Sequence, residues 1–223
     1  MQHDNNKPWD NFFKKHISKA SEQNIELNDS VDSEWIGSQI WGEKFIQPYL
    51  TNTNHTICEI GPGSGRFTRY YLPDAKKYYL VDYSEFVCNL LQEEFNNYNN
   101  KVIIKSSNCD LSQIEDNECD LVFSLGVFVH LYLEQIYGYY KEFSRIMKPG
   151  GFCVIHFANF MTDGGYDWFN KQLPANNQFD KRSLFRFYHP EMIDKIASIV
   201  GLKVYDKHII DKTRHCILVC TKE

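Results

Sequence analysis

Three glycines, Gly61, Gly63 and Gly65, follow directly on an apolar run in the stretch ICEIGPGSGRFTRYYL, which covers residues 57–72. Glycine tolerates positive φ angles and lets a ligand approach the backbone closely. The amides at the start of a helix after such a turn attract an anionic group. The stretch therefore predicts a ligand-binding turn, with an ordinary tight loop as the alternative interpretation.

The spacing of these glycines separates the common nucleotide ligands. A dinucleotide fingerprint has glycine at its first, third and sixth positions, but the sixth position counted from Gly61 is Arg66. A phosphate-binding P-loop is also absent, because no Gly-Lys-Ser/Thr follows. Further along, KYYLVDYS places Asp82 at the end of the next apolar run, where a carboxylate can hold both hydroxyls of a ribose. These features indicate a ribonucleoside ligand.

Strands and helices that alternate along the chain must position these residues. Short apolar runs such as TICEI, KYYLVD, KVIIKS and CDLVFSL alternate with helical patterns such as LEQIYGYYKEFSRIM. This alternation predicts an α/β fold with a doubly wound parallel sheet and helices on both faces. The tail reads LKVYDKHII, DKTR and HCILVCTK, which predicts an antiparallel hairpin at one edge of the sheet.

Length and composition suit one domain that covers residues 1–223. Within it, residues 1–50 are expected to form an N-terminal helical cap. Residues 158–189 lack a clean period and are rich in aromatic side chains, so we expect an insertion over the active site. The aromatic residues that can cover this site or simply pack are Trp35, Trp41, Tyr166 and Trp168.

The balance of charge and the cysteines restrict partners and compartment. A net charge of -5 argues against binding to nucleic acid or to an anionic membrane surface. Seven scattered cysteines without a CxxC pair signal neither a disulfide framework nor a zinc site, so we expect a reduced cytoplasmic setting. The apolar stretch LVFSLGVFVHLYL is too short to span a bilayer.

In combination, EIGPGSG, VDYS, CDLVFSLGVFVH and MKPGG resemble the ordered motifs of class I S-adenosylmethionine-dependent methyltransferases, over about residues 56 to 157. The resemblance implies a Rossmann-like, seven-stranded sheet with an antiparallel last strand. FSLGVFVHL, RIMKPGG and IHFAN more loosely resemble bacterial methyltransferases associated with sugars and surface glycans.

The resemblance also implies which residues bind S-adenosylmethionine. The glutamate and glycines would line the methionine end, Asp82 would hold the ribose, and Tyr83 would pack near the adenine. Asn108, Cys109 and Asp110 compete for the adenine amino group, and Asn108 with the Cys109 amide is favoured because Asp110 falls late relative to the next strand. The predicted cofactor-binding residues are Glu59, Gly61, Gly63, Gly65, Arg66, Asp82, Tyr83, Asn108, Cys109, Ser124 and Leu125.

Two histidines are candidates for catalysis. An alcohol acceptor must lose a proton, and a positioned histidine can take it, whereas an ionised oxygen needs no base. His130 lies at the end of the fourth predicted strand and is the first candidate, and His156 on the fifth is the next. Each is equally well explained as a hydrogen-bonded structural histidine.

Asn159, Tyr166 and Arg186 are the predicted substrate-binding residues, although a strand-end cap explains Asn159 equally well. Arg186 lies in the basic stretch KRSLFRFYHP, which is either a solvated surface or a clamp for an anionic substrate. Asp163 and Asp167 offer oxygens to a metal, but turn chemistry accounts for that stretch with fewer assumptions, so no metal is expected.

The sequence thus predicts transfer of a methyl group from S-adenosylmethionine to an oxygen of a small polar acceptor, such as a sugar, a glycan precursor or a phosphate-type group. Methylation of nitrogen in a small molecule is the first alternative. A nicotinamide-binding oxidoreductase, opposed by Arg66, and a catalytically silent binding module are the others.

Overall fold

The computed structural model describes residues 10–11, 13–15, 38–50, 54–173 and 185–223. The chain divides into two compact units, Met1–Ser107 and Asn108–Glu223. Trp35, Lys181, Arg182, much of the predicted N-terminal cap and part of the predicted insertion lie outside the described residues. The single domain, the cap and the insertion stay predictions.

The first unit is built on three parallel strands in the order β3-β2-β1. All five residues of β1 are buried, as expected for a parallel strand covered on both faces. Its main elements are α1 (Ser38–Phe45), β1 (Thr56–Ile60), α2 (Thr68–Tyr71), β2 (Lys77–Asp82), α3 (Glu85–Glu94) and β3 (Lys101–Lys105).

Helix α3 begins where Ser84 ends the turn after β2. The Ser84 hydroxyl accepts a hydrogen bond from the Val87 amide at 3.1 Å, which caps the helix and is worth about 1 kcal/mol. Val87, Cys88 and Leu91 are buried on one face of the helix, so the unit's core fixes the direction in which α3 leaves the turn.

The second unit has the strand order β4-β5-β8-β7, and β6 pairs with β5 outside this path. Strand β4 runs parallel to β5, whereas β8 runs antiparallel to both β5 and β7. Its main elements are β4 (Cys119–Ser124), α4 (Leu133–Ile146), β5 (Met147–Asn159), α5 (Asp163–Gln172), β6 (Phe187–Tyr188), α6 (Pro190–Ile199), β7 (Leu202–Ile209) and β8 (His215–Lys222).

The predicted hairpin and fold class are confirmed. Strands β7 and β8 pair antiparallel with Ile209 opposite Cys216, and β7 ends the strand order as expected for an edge. The difference from the expected seven strands is β6, which has two residues and pairs with Ala158 and Asn159 at the end of β5. Its length is too small for a sequence pattern to reveal it.

The core of the second unit is rich in aromatic side chains. Helix α4 buries Ile136, Tyr140, Phe143 and Ile146 at the spacing of one helical face. The fully buried ring of Phe128 lies 6.0 Å from Phe143, so the chain segment after β4 is anchored in the core.

Within the described part of the chain, no helix is both long and apolar enough to cross a membrane.

Candidate functional site

The glycine turn after β1 has the backbone conformation that its sequence predicts. Gly61, Gly63 and Gly65 have φ angles of 70°, 56° and 78°, which lie in the left-handed region that favours glycine. The Gly61 amide donates to the Val81 carbonyl oxygen at 2.8 Å and ties the turn to β2. The turn therefore presents its backbone at the carboxyl end of two adjacent strands.

At Gly63 and Gly65, neighbouring aromatic rings also leave little space for a side chain. A Cβ atom at Gly63 would lie 3.2 Å from Cζ of Phe13, and one at Gly65 would overlap the ring of Phe95. Gly65 is thus required for packing against the residue that ends α3, in addition to its predicted place near the cofactor.

Glu59 is buried in the last part of β1, and its side chain is 2% exposed. Its Oε2 accepts hydrogen bonds from the Thr68 hydroxyl at 2.7 Å and the Tyr78 hydroxyl at 2.9 Å. Burial raises the pKa of Glu59 to about 7, against the opposing effect of these two hydrogen bonds. The carboxyl group therefore changes protonation near neutral pH.

Asp82 ends β2 with its carboxylate held by backbone amides. Its Oδ1 accepts from the Ser84 amide at 2.8 Å, and the amides of Tyr83 and Gly63 also donate to the carboxylate. Burial raises the pKa of Asp82 to about 6, with a smaller contribution from the negative charge of Asp10. The bond from Gly63 joins the glycine turn to the residue predicted to hold a ribose.

The N-terminal segment adds two residues that sequence reasoning missed. The Ser84 hydroxyl donates to Oδ1 of Asp10, beside the Asp82 carboxylate. Phe13 packs on Gly63, as described above. No local pattern marks either residue, because both meet the turn through contacts across a long stretch of chain. The other predicted residues of this unit, Arg66 and Tyr83, are respectively 9% exposed and half-buried.

In the second unit, Asn108 and Cys109 have φ angles of 54° and 63°. The Cys109 thiol donates to the Gln135 carbonyl oxygen at 3.3 Å, and burial raises its pKa to about 11. Asp110, the competing candidate, accepts the Ser112 amide at 2.9 Å in a local turn. Asp110 and Cys109 therefore each take part in a local hydrogen bond, and the choice among the three residues for the adenine contact stays a prediction.

The segment after β4 carries three predicted residues. Ser124 ends the strand fully buried, Leu125 is 9% exposed, and Gly126 follows with a φ angle of 86°. A short 3-10 turn, Phe128–His130, then leads to α4. The His130 ring stacks on Phe185 with 5.1 Å between centroids and 26° between planes, so its orientation is constrained.

His156 and His215 form a hydrogen-bonded pair. Nε2 of His156 lies 2.9 Å from Nδ1 of His215, and Nδ1 of His156 accepts the Gly126 amide at 3.2 Å. His156 is 1% exposed. Burial lowers its pKa well below the ordinary value, and His215, Arg214 and His130 add to the effect. The sequence predicted His156 but not His215.

Arg214 lies beside this pair and is 3% exposed. Its guanidinium carbon is 4.4 Å from the centroid of the Trp168 ring and 4.1 Å from that of Phe185. The two rings cover the guanidinium group and restrict its hydrogen bonding to its edges. The register of β8 against β5 could have revealed Arg214 and His215, because antiparallel pairing brings the start of β8 to the end of β5.

The chain from Phe185 to Tyr188 is fixed against the turn that carries His130. The Arg186 amide donates to the Val129 carbonyl oxygen at 2.6 Å, and the Tyr188 hydroxyl donates to the Leu131 carbonyl oxygen at 2.9 Å. The Arg186 guanidinium carbon lies 3.8 Å from the centroid of the Tyr132 ring. The structure thus brings Arg186 and His130, both predicted, to the same turn.

Asn159 and Tyr166 have other surroundings. Asn159 is 2% exposed, and its Oδ1 accepts the Met161 amide at 2.9 Å as a strand-end cap, the alternative noted from sequence. Tyr166 is 53% exposed and meets Phe160 edge-on. Their predicted roles in substrate binding stay predictions.

Among the described residues, no group of three or more His, Cys, Asp or Glu side chains is arranged to hold a metal ion. Asp163 lies in the first turn of α5, whose N-cap Thr162 accepts the Gly165 amide at 3.1 Å. His189, at the end of the predicted basic stretch, accepts the Glu191 amide at 3.2 Å and caps α6. Asp163 and His189 therefore belong to the starts of α5 and α6, respectively.

Comparison with known proteins agrees with the geometry. Residues 58–155 match a protein family described as a methyltransferase domain. Ribosomal RNA small subunit methyltransferase A of Clostridium botulinum is 31% identical over 114 residues, which are 51% of this chain and 37% of that protein. The chain thus spans little more than a third of the length of this curated relative.

Solved structures share the fold over most of the chain. A Haloferax volcanii methyltransferase in complex with the Trm112 activator covers 96% of each chain, with a TM-score of 0.69 and 14% identity. The N-methyltransferase NodS of Bradyrhizobium japonicum, in complex with S-adenosyl-L-homocysteine, covers 86% of this chain and 91% of its own, with a TM-score of 0.64 and 14% identity. At these identities the likeness concerns the fold.

These comparisons support a methyltransferase domain over residues 58–155 and the predicted fold class. Methyl transfer by this chain, with S-adenosylmethionine as its cofactor, stays a prediction. The residues of the first unit fit this cofactor, since positive-φ glycines expose backbone amides and an amide-held carboxylate ends β2. The individual cofactor-binding and catalytic residues stay predictions.

Proposed function

We propose that the protein methylates an oxygen of a small polar acceptor that carries an anionic group, such as a sugar phosphate or another glycan precursor. The observation that carries the proposal is the position of Arg186. Its backbone is bonded to Val129, next to His130, and among the described residues its buried Nε has no hydrogen-bond partner. A half-buried arginine whose Nε is unsatisfied gains from an anion, because arginine binds phosphate and carboxylate through paired, charge-assisted hydrogen bonds.

Residues of the first unit would hold the ribose and the methionine end of the cofactor, and Asn108 with Cys109 would contact its adenine. Asp82 would accept the ribose hydroxyls, and the turn from Gly61 to Gly65 would accept the methionine end. When bound, S-adenosylmethionine supplies a methyl group carried on a positively charged sulfur.

Arg186 and His130 of the second unit would contact the acceptor. Arg186 binds its anionic group and fixes its orientation. For an alcohol acceptor, the His130 imidazole takes the hydroxyl proton as the new carbon–oxygen bond forms. For an oxygen that is already ionised, His130 contributes orientation alone, held by its stacking on Phe185.

We also propose that the acceptor is not a nucleic acid, although the curated relative is named for ribosomal RNA. The net charge of -5 does not supply the excess of Lys and Arg that phosphate backbones require. All seven cysteines are buried and none of them is in a disulfide, which supports the proposed reduced cytoplasmic setting.

The test is a set of matched acceptors, each incubated with the protein and S-adenosylmethionine: a neutral sugar, its phosphate, a nucleotide sugar, and small amines. S-adenosyl-L-homocysteine and the methylated product are measured by mass spectrometry. Turnover with the phosphorylated sugar and not with the neutral one supports the proposal. Equal turnover of the neutral sugar, or methylation of amines, contradicts it, and cofactor binding without turnover of any acceptor indicates a silent binding module.

Variants of Arg186 test the anionic contact. Arg186→Gln should raise the acceptor KM about tenfold or more, since a charge-assisted hydrogen bond is lost, and Arg186→Lys should be intermediate because its ammonium is a point charge. Lys203→Gln is the control, because Lys203 is exposed and pairs with Glu223. An unchanged KM in Arg186→Gln would remove Arg186 from the acceptor.

A further inference from the structure

His156 has both of its ring nitrogens engaged, and the contacts fix its tautomer. A backbone N–H can only donate, so Nδ1 of His156 must accept from Gly126. The ring proton of the neutral imidazole therefore sits on Nε2 and is donated to Nδ1 of His215. In this arrangement neither nitrogen of His156 is available to take a proton from an acceptor.

The neutral form of His156 suits its surroundings. The titratable and charged groups that act on it are His215 and Arg214 from the β8 side and His130 from the turn after β4, and together with burial they lower its pKa. A proton on Nδ1 would also oppose the Gly126 N–H at 3.2 Å. His156 thus stays neutral, with its Nδ1 as the acceptor of the Gly126 amide, throughout the neutral pH range.

The contact with Gly126 reaches the segment that carries the predicted chemistry. Gly126 has a φ angle of 86° and comes directly after Leu125. The 3-10 turn that follows it ends at His130. His156 lies on β5 and His215 on β8, so two core strands fix the start of this segment.

We infer that His156 is a positioning residue, which holds Gly126 and thereby the turn that carries His130, with His215 as the acceptor that fixes its tautomer. This inference rests on the proposed function only in assigning His130 to the reaction. It replaces the interpretation of His156 as a second base, and it gives His215 a task.

Two conservative variants separate the two ring nitrogens. In His156→Asn the side-chain oxygen can occupy the place of Nδ1 and keep an acceptor for Gly126. In His156→Gln the longer amide reaches the place of Nε2 and keeps a donor for His215. If the positioning acts through Gly126, Asn should preserve it and Gln should not.

The primary measurement is independent of turnover. Nitrogen-15 NMR of the intact protein should show His156 protonated on Nε2 alone, from about pH 8 to about pH 5.5, within the range where an ordinary histidine titrates. Amide exchange of Gly126 should stay slow in His156→Asn and become at least about tenfold faster in His156→Gln, because a donor is freed. A proton on Nδ1, or equal Gly126 exchange in both variants, overturns the inference.

The second measurement uses the acceptor found by the screen. His156→Asn should keep kcat within about threefold and preserve the shape of the pH profile, whereas His156→Gln should lose about tenfold or more. A loss of kcat in His156→Asn as large as that in His156→Gln would contradict the inference. His208→Asn on β7, whose side chain pairs with Asp206, is the control.

Failure of the proposed function leaves the NMR and exchange measurements intact. If no acceptor is methylated but the tautomer and Gly126 exchange behave as expected, the positioning contact stands and the function falls. If an anionic acceptor is methylated and the tautomer differs, only the positioning contact falls.

Discussion

The Ser84 amide donates a hydrogen bond to Oδ1 of Asp82 at 2.8 Å, while the Ser84 hydroxyl caps α3. One residue therefore links the start of a helix to the carboxylate that ends β2. The hydrogen bond from the Ser84 amide keeps the Asp82 carboxylate in a fixed orientation.

Asp82→Ala should weaken binding of S-adenosyl-L-homocysteine by about 1.5 to 3 kcal/mol, because a charge-assisted contact with the ribose is lost. Since the pKa of Asp82 in the protein is about 6, affinity should also fall as the pH drops through about 6 and the carboxylate becomes protonated. Isothermal calorimetry of both proteins measures the two effects. An affinity that does not change in the variant would remove Asp82 from the ribose.

Glu59 should make the protein less stable as pH rises. Burial raises its pKa from 4.5 to about 7, so between these values the folded state binds more protons than the unfolded state. The free energy of unfolding should therefore fall with rising pH in this window, by up to about 3 kcal/mol. Glu59→Gln should flatten this slope.

Urea unfolding at several pH values measures the effect of Glu59. Asp82, whose pKa is also raised, contributes a slope of the same sign, so the difference between wild type and Glu59→Gln is the quantity to compare. Glu93→Gln is the control, because Glu93 is exposed on α3. Identical slopes in wild type and Glu59→Gln would contradict the buried position of this carboxyl group.

Gly65→Ala should cost more stability than Gly150→Ala. Both glycines have positive φ angles, 78° and 77°, so the backbone strain of alanine is about 1 kcal/mol in each. A Cβ at Gly65 overlaps the Phe95 ring, whereas nothing lies within 4 Å of one at Gly150. The extra overlap should add about 1 to 3 kcal/mol, measured by urea unfolding.

Gly63→Val should abolish cofactor binding in a folded protein. Its φ angle of 56° disfavours a branched residue, and its Cβ would occupy space at the turn. Thermal shift with S-adenosyl-L-homocysteine measures binding, and circular dichroism checks the fold. Normal binding by a folded Gly63→Val would reduce the turn to a connection between β1 and α2.

His130→Ala should lower turnover by about 10²- to 10⁴-fold if the acceptor is an alcohol, with cofactor affinity close to wild type. Wild-type turnover should then also decline at acidic pH, because a protonated imidazole cannot take the hydroxyl proton. If the acceptor oxygen is ionised, the variant should mainly raise the acceptor KM. Steady-state kinetics measured across pH distinguishes these two cases. If neither turnover nor the acceptor KM changes in His130→Ala, His130 has only a structural role.

Elements with strong local patterns were predictable from the sequence. The apolar runs of β1, β2 and β4 and the one-sided pattern of α4 depend on neighbours in sequence, and each is present. Strand β6 was missed, because its two residues pair with the end of β5 through tertiary context alone.

The residues at strand ends were predictable in position but not in partners. The end of β2 marks Asp82, yet its contact with Gly63 and its proximity to Asp10 depend on folding across the chain. Arg214 ends the predicted turn and His215 begins the predicted last strand, and neither belongs to a motif, so their importance emerges only once β8 pairs with β5.

The side chain of Gln172 bonds to both main-chain polar groups of Phe185, with its Oε1 accepting from the amide at 2.6 Å and its Nε2 donating to the carbonyl oxygen at 3.2 Å. These two hydrogen bonds involve only the main chain of Phe185, so they do not depend on which side chain stands at this position. Evolution or protein engineering can therefore exchange the Phe185 ring, which stacks on His130 and covers Arg214, while the anchor of the segment persists. If the acceptor binds here as we propose, its preference can change while the main-chain anchor of residue 185 is kept.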